Sequence, residues 1–167
     1  MIEKLVEKGY SIHMFTAEGV RNMFSKEKVN IAYQALKEEN IDMWIIAGQE
    51  SATNTEPILA IMSDAEFIGC TALIFCKDGT SAAVCTPIDY NGYVHHGVFD
   101  EVFAFPVSFT DTLAEVIQKK NPKSIALDYS LENPAADGLS LGTYKMLEEA
   151  FKKANYQGEV LSAEKVV

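Results

Sequence analysis

The sequence predicts a single α/β domain, a mixed β-sheet with a central hairpin and helices on both faces. Three observations predict it. Apolar patterns of helical and strand type alternate along most of the chain, which is the arrangement that winds helices over a sheet. Two apolar runs, "TALIFC" and "SAAVC", flank Asp78-Gly79, a strong signal for an antiparallel hairpin. Of the 167 residues 48% are apolar, enough for one buried core in a domain of ordinary size.

The elements follow in order. The first 25 residues carry no clear period and read as an arm or an extra helix. Over residues 26–40, Val29, Ala32, Tyr33 and Leu36 recur at helical spacing, with Ser25 placed to cap the start and Asn40 to end it. "IDMWIIAG" is short, apolar and closed by Gly48, the mark of a buried strand. A polar loop and a short helix over 57–62 precede the hairpin. A two-residue turn at Asp78-Gly79 would pair Lys77 with Thr80, Cys76 with Ser81 and Ala72 with Cys85. That register puts Leu73, Phe75, Ala82 and Val84 on one face, and Ala72, Ile74, Ala83 and the cysteines on the other. Both faces are apolar or small, so both need covering layers. A short helix is predicted over 87–97, then a strand "EVFAFP" stopped by Pro106. Ser108 and Asp111 form a capping pair for a helix whose Phe109, Leu113, Val116 and Ile117 share a face, and which stops near Asn121-Pro122. "KSIALDYS" is a second buried strand. Tyr144, Leu147, Phe151 and Ala154 mark a last long helix, with Glu148–Lys152 and Glu149–Lys153 pairs on its wet side, before the extended "EVLSAEKVV". Helical crossovers favour parallel neighbours and the hairpin is antiparallel, so the sheet must be mixed.

A formal net charge of −10 and a pI near 4.7 repel phosphate backbones and anionic lipid surfaces, which argues against nucleic acid and membrane partners. No apolar run approaches the roughly 20 residues of a membrane helix, and the N-terminus lacks the pattern of a secretory signal. The three cysteines, Cys70, Cys76 and Cys85, have no CxxC spacing and fit free thiols in a cytoplasmic protein. They read as buried and inert, since no cationic or helix-terminal support for a thiolate stands nearby.

"DYNGYVHHGVFDE" holds two of the three histidines, His95 and His96, beside Asp89, Asp100 and Glu101. Adjacent residues on a helix or strand point apart, so the pair cannot ligate one metal without a special turn. His96 and Asp100 have helical ligand spacing, but Gly97 ends the helix between them. A catalytic zinc would want three protein ligands and an open position. The stretch therefore reads as surface, with histidines at a helix C-terminus. Any contact with a substrate or a partner would fall to Asp89, Tyr93, His95 and His96. Asp42 and Asp128 stand at the edges of apolar strands, where capping or turn roles outweigh magnesium or phosphotransfer chemistry. Trp44, the only tryptophan, reads as core. "GLSLG" lacks the lysine and spacing of a phosphate loop, and no Gly-x-Ser-x-Gly elbow occurs.

One conjunction goes further. A helix ending in "ALKEENIDMWIIAG", a connecting segment, the hairpin "TALIFCKDGTSAAVCTPIDY", a helix, the late strand "KSIALDYS" and the closing "VLSAEKVV" stand in the order of a known family. Over residues 26–167 the chain resembles the N-terminal domain shared by creatinase, prolidase and aminopeptidase P. The resemblance implies an RNase H-like α/β domain that ends at a linker to a catalytic domain absent from this chain. It also implies a homodimer, and a role in walling the active site of an Xaa-Pro metallopeptidase. A divalent metal, manganese or zinc, is implied only for that catalytic domain, and no cofactor for this chain. Two departures stand out. "NTEPILAIMSDAEFIG" replaces the family's Tyr-Leu-Thr-Gly-Phe phrase, and Asp89 is followed by Tyr90, Asn91, Gly92 and Tyr93 without the arginine of an Asp-x-Arg-Tyr phrase. Roles carried by those phrases do not transfer. The competing readings are a free-standing flavodoxin-like module that binds a small ligand and, more weakly, a thiol enzyme built on Cys76 or Cys85.

Overall fold

The computed structural model describes residues 26–50, 56–62 and 68–167. The predicted arm, the Ser25 cap and the middle of the polar loop lie outside these residues. Helix α1 (Lys26–Glu38) leads into β1 (Met43–Glu50), and α2 (Leu59–Met62) precedes the hairpin of β2 (Ile68–Cys76) and β3 (Ser81–Cys85). Then come α3 (Tyr90–His96), β4 (Glu101–Ala104), α4 (Phe109–Lys120), β5 (Ser124–Leu127), α5 (Leu141–Lys153) and β6 (Glu159–Ser162), with 3-10 turns at Pro134–Ala136 and Ala163–Lys165.

The strands form one mixed sheet in the order β4-β3-β2-β1-β5-β6, in which β2 runs against the other five. Strand alternation divides the core. Trp44, Ile46, Leu73, Phe75, Ala83 and Cys85 face α1, α2, α3 and the closing turn. Met43, Ile45, Ile74, Val84, Ile125 and Leu127 face α4 and α5 through Leu113, Ile117, Leu147 and Phe151. Helices thus cover both faces, as both apolar sides of the hairpin require.

The hairpin register differs from the predicted one. The connection has three residues, Lys77, Asp78 and Gly79: the Cys76 N–H donates to the Thr80 carbonyl at 2.9 Å, and Ala72 pairs with Val84. Gly79 supplies the left-handed φ of +88° at the last loop position, and the Asp78 carboxylate accepts from the N–H and hydroxyl of Thr80 at 2.9 and 2.7 Å. This offset of one residue exchanges the two faces of β3, bringing Ala83 and Cys85 beside Leu73 and Phe75.

Helix ends follow local chemistry. The Ser108 hydroxyl accepts from the Asp111 N–H at 3.2 Å, the predicted cap of α4. Asn40, Asn121 and Asn155 all take positive φ values, of 56°, 48° and 51°, where α1, α4 and α5 stop. On α5, Lys153 bridges Glu149 and Asp111, tying α5 to α4, whereas Glu148 pairs with Lys145 in place of the predicted Lys152.

Asp42 joins three segments at the start of β1. Its carboxylate pairs with Lys77 at 2.5 Å and accepts the Lys123 N–H at 2.8 Å, while its own N–H donates to the Ser124 hydroxyl at 3.0 Å. The predicted turn role is therefore a link between strands distant in sequence. The hydrogen bond from Lys77, then that from the Lys123 N–H, holds the carboxyl below its ordinary range. A carboxyl with a lowered folded pKa adds stability that is fully present above the unfolded pKa, and that is lost as pH falls through the folded one. We expect Asp42→Asn to cost about 1 kcal/mol in urea unfolding at pH 7, solvent screening included, and the difference to shrink towards pH 3.

Candidate functional site

The five co-directional strands end along one edge of the sheet. After β1 the chain leaves for β2, β3 and β4, and returns beside β1 only with β5, so strand order reverses there. In open α/β sheets such a switch point is where contacts with other molecules concentrate.

Two buried carboxyl groups stand at this point. Glu56 lies between β1 and α2, and its Oε2 accepts the Leu59 N–H at 2.6 Å. Asp128 directly follows β5, and its Oδ1 accepts the indole N–H of Trp44 at 2.7 Å. The two residues are only 2% and 1% exposed, which closes them to any substrate. Gly138 makes room for the first. A Cβ there would sit 2.3 Å from Glu56 Oε1 and 2.5 Å from Pro57 Cδ, so only glycine allows this approach. The N–H groups of Gly138 and Leu139 donate to the Asp128 carbonyl at 3.1 and 2.9 Å. Burial pushes the Glu56 carboxyl up to about 7. Burial first, and then the charge of Glu56, pushes Asp128 well above the usual carboxylate range. The carbonyl of Asp128 does the expected loop work, whereas its side chain holds the core tryptophan. Glu56 has no signal in the sequence, because it sits in a polar run whose burial depends on a glycine far along the chain.

The stretch after the hairpin is divided by α3. The Asp89 carboxylate turns inward, accepting from the Thr86 hydroxyl at 2.9 Å and from the Ile68 N–H at 3.3 Å. Tyr93 is buried, its ring edge-on to Phe99 at 5.7 Å. That is a correction for Tyr93: the helix periodicity that exposes Tyr90 and Val94 turns this ring into the core. His95 faces solvent, and the side chain of His96 lies outside the described residues. Asp100 accepts from the N–H and hydroxyl of Ser81 at 2.7 and 3.1 Å, which fixes the start of β3. Among the described residues no three His, Cys, Asp or Glu side chains converge to hold a metal ion.

The outer surface differs between the two ends of the sheet. Ile68, Ile88, Val107, Tyr129, Leu131 and Leu141 are all exposed, and all lie in segments at the C-terminal ends of the parallel strands. At the opposite end lie ion pairs, Asp42 with Lys77 and Glu101 with Lys119 and Lys120. A cleft of about 540 Å³ also opens there, beside the ends of α4 and α5, lined by Asn121, Lys123, Asn155, Tyr156 and Glu159 among others.

No protein-family profile and no curated protein sequence matches the chain. Solved structures do match its fold. The creatinase/prolidase N-terminal domain of an X-Pro dipeptidase from Streptococcus pyogenes aligns with a TM-score of 0.62 at 12% identity, over 84% of this chain and 95% of that one. The prolidase from Pyrococcus horikoshii aligns with a TM-score of 0.56 at 19% identity, over 84% of this chain and 33% of that one. The X-Pro aminopeptidase from Thermotoga maritima aligns with a TM-score of 0.56 at 16% identity, over 83% of this chain and 33% of that one. The fold is that of a creatinase/prolidase N-terminal domain. This chain spans about a third of the length of the prolidase and the aminopeptidase.

The thiols complete the inventory. Cys76 and Cys85 are buried, while Cys70 is half-buried, a departure from the expectation that all three are enclosed. Burial raises all three thiols, Cys85 to about 12. No helix among the described residues is long and apolar enough to cross a membrane. We expect a thiol reagent at pH 7 to label Cys70 slowly and to leave Cys76 and Cys85 unmodified until denaturant is added. Rapid native labelling of Cys76 or Cys85 would contradict this and favour a thiol enzyme.

Proposed function

We propose that this chain acts as the non-catalytic N-terminal domain of an Xaa-Pro dipeptidase- or aminopeptidase P-like metallopeptidase of the cytoplasm. In this reading it takes part in dimerisation and walls the active site of a catalytic domain that carries the manganese or zinc. The observation that carries the reading is the coverage of the fold matches. They extend over nearly all of an isolated N-terminal domain, at 95%, and over only 33% of the full-length peptidases. The exposed apolar residues at the strand ends support it, because an apolar edge opposite a charged one suits contact with another domain. On α3, the exposed Tyr90, Val94 and His95 are the groups placed to meet such a partner.

A flavodoxin-like binding module is the weaker reading. Its sheet is wholly parallel and takes ligand at the C-terminal strand ends, whereas here β2 is antiparallel and the cleft lies at the opposite end.

Metal-assisted hydrolysis needs ligands that hold the ion, lower the pKa of its water and leave one position open. We expect the purified chain to show no turnover of Ala-Pro peptides with manganese or zinc added, and only millimolar metal binding by calorimetry. Micromolar one-to-one binding together with turnover would overturn the accessory-domain reading.

A further inference from the structure

The two outer strands of the sheet, β4 and β6, each have a neighbour on one side only, and their surroundings differ. β4 is guarded by charge. Lys119 pairs with Glu101 on that strand and stands over the Phe103 ring at 5.8 Å, and Lys120 reaches Glu101 from the same helix. Lysine at a strand edge opposes the addition of a further strand. Among the described residues no ion pair lies on β6. The parallel ladder decides which of its groups face outward. The Glu159 N–H donates to the Lys123 carbonyl at 2.9 Å, so Glu159 and Leu161 bond towards β5, and Val160 between them turns its N–H and carbonyl away from the sheet.

A hollow opens beside that edge. It has about 400 Å³ and lies between α5 and β6, lined by Tyr144, Glu148, Phe151, Lys152, Tyr156 and Val160 among others. Its aromatic part is fixed in place. The rings of Phe151 and Tyr156 stand 5.6 Å apart, and the Tyr156 hydroxyl donates to the Glu159 carbonyl at 2.9 Å. Gly158 leaves the room this needs, since a Cβ there would sit 2.3 Å from the Tyr156 hydroxyl oxygen. One charge at the rim is unpaired. Glu148 pairs with Lys145 at 2.6 Å, whereas the exposed Lys152 has no ion-pair partner among the described residues.

We propose that β6 takes up an extended peptide segment as an added strand, with a bulky apolar side chain in the hollow and a carboxylate on Lys152. An added strand would lie about 4.8 Å beyond β6 and turn alternate side chains to the face of the sheet that α5 covers. Val160 packs on that face, so the hollow stands where those side chains would point. Residues two apart share the face, and the fitting pattern is therefore apolar-x-acidic, in either chain direction. Main-chain bonds to Val160 supply affinity, and the hollow supplies selectivity. The chain carries a net charge of −10, but a carboxylate beside Lys152 feels that lysine at close range, where more distant charges are screened. A second copy of this chain fits less well. Two-fold pairing of β6 with itself would set hollow against hollow and leave both unfilled. The site does not depend on the accessory-domain reading.

The experiment titrates the ¹⁵N-labelled whole chain with two blocked peptides, acetyl-Thr-Val-Thr-Phe-Thr-Glu-Thr-amide and the same residues in reverse order, which together cover both strand directions. At least one should shift the amide resonances of Val160 and Lys152 and slow the exchange of the Val160 amide with solvent. Replacing its Phe by Ser should weaken binding about tenfold, and replacing its Glu by Gln about threefold. Lys152→Gln should weaken the Glu peptide alike and leave the Gln peptide unchanged. Val160→Pro removes an N–H that faces away from the sheet, a change an edge strand tolerates, and should weaken binding at least about tenfold. No shifts at millimolar peptide, shifts confined to the exposed apolar residues around α3, or unchanged binding to Val160→Pro overturns the proposal. A dimer in sedimentation whose Val160 amide is already protected without peptide overturns it too, in favour of a second copy. Should Val160→Pro fail to fold, the Val160 amide of the unsubstituted chain decides: slower exchange on peptide addition supports the added strand, and unchanged exchange overturns it.

Discussion

The pairing of β1 with β5 is the contact on which the rest of the molecule depends. Met43, Trp44 and Ile45 lie beside Ile125, Ala126 and Leu127, although roughly half the chain separates them in sequence. Every other pair in the sheet joins strands adjacent in chain order, so this seam alone unites the β1–β4 half with the β5–β6 half. Polar bonds pin it along its length. Asp42 holds Lys123, Ser124 and the hairpin turn at one end, and the indole of Trp44 holds Asp128 at the other. Closing a contact of such long range costs chain entropy that local contacts do not, and apolar burial on both faces must outweigh it.

The seam also sets where the molecule can meet others. Reversal of strand order beside it leaves a switch point at the C-terminal strand ends, with Glu56 and Asp128 beneath it and apolar side chains exposed around it. The opposite end carries ion pairs and a polar cleft. This asymmetry fits a domain that presents one end to a partner and the other to water.

Much of the architecture was legible because local chemistry determines it. Ser108 caps α4 whatever its tertiary setting, the asparagines at helix ends tolerate left-handed backbone, and the apolar run around Trp44 has few alternatives to a buried strand. The hairpin register was not legible. Where one face is wet, polar residues mark the correct alternation; with both faces of β3 apolar, a slip of one residue leaves no trace in the sequence. The candidate site was hidden for a different reason. Glu56 packs against Gly138, far along the chain, and no local pattern announces that a glutamate in a polar run will lose its solvent. Tyr93 belongs with it, since one helical position separates a buried ring from the exposed Val94.

Amide hydrogen exchange under native conditions tests the seam most directly. If β1–β5 is the contact that joins the two halves, the amides of Trp44, Ile45, Ala126 and Leu127 should be among the slowest. They should open together with those of Ile74 and Ala83 in one global event. Exchange of the β5 and β6 amides many-fold faster than those of β1 and β2 would show instead that the C-terminal half opens on its own, and that the seam does not hold the fold together.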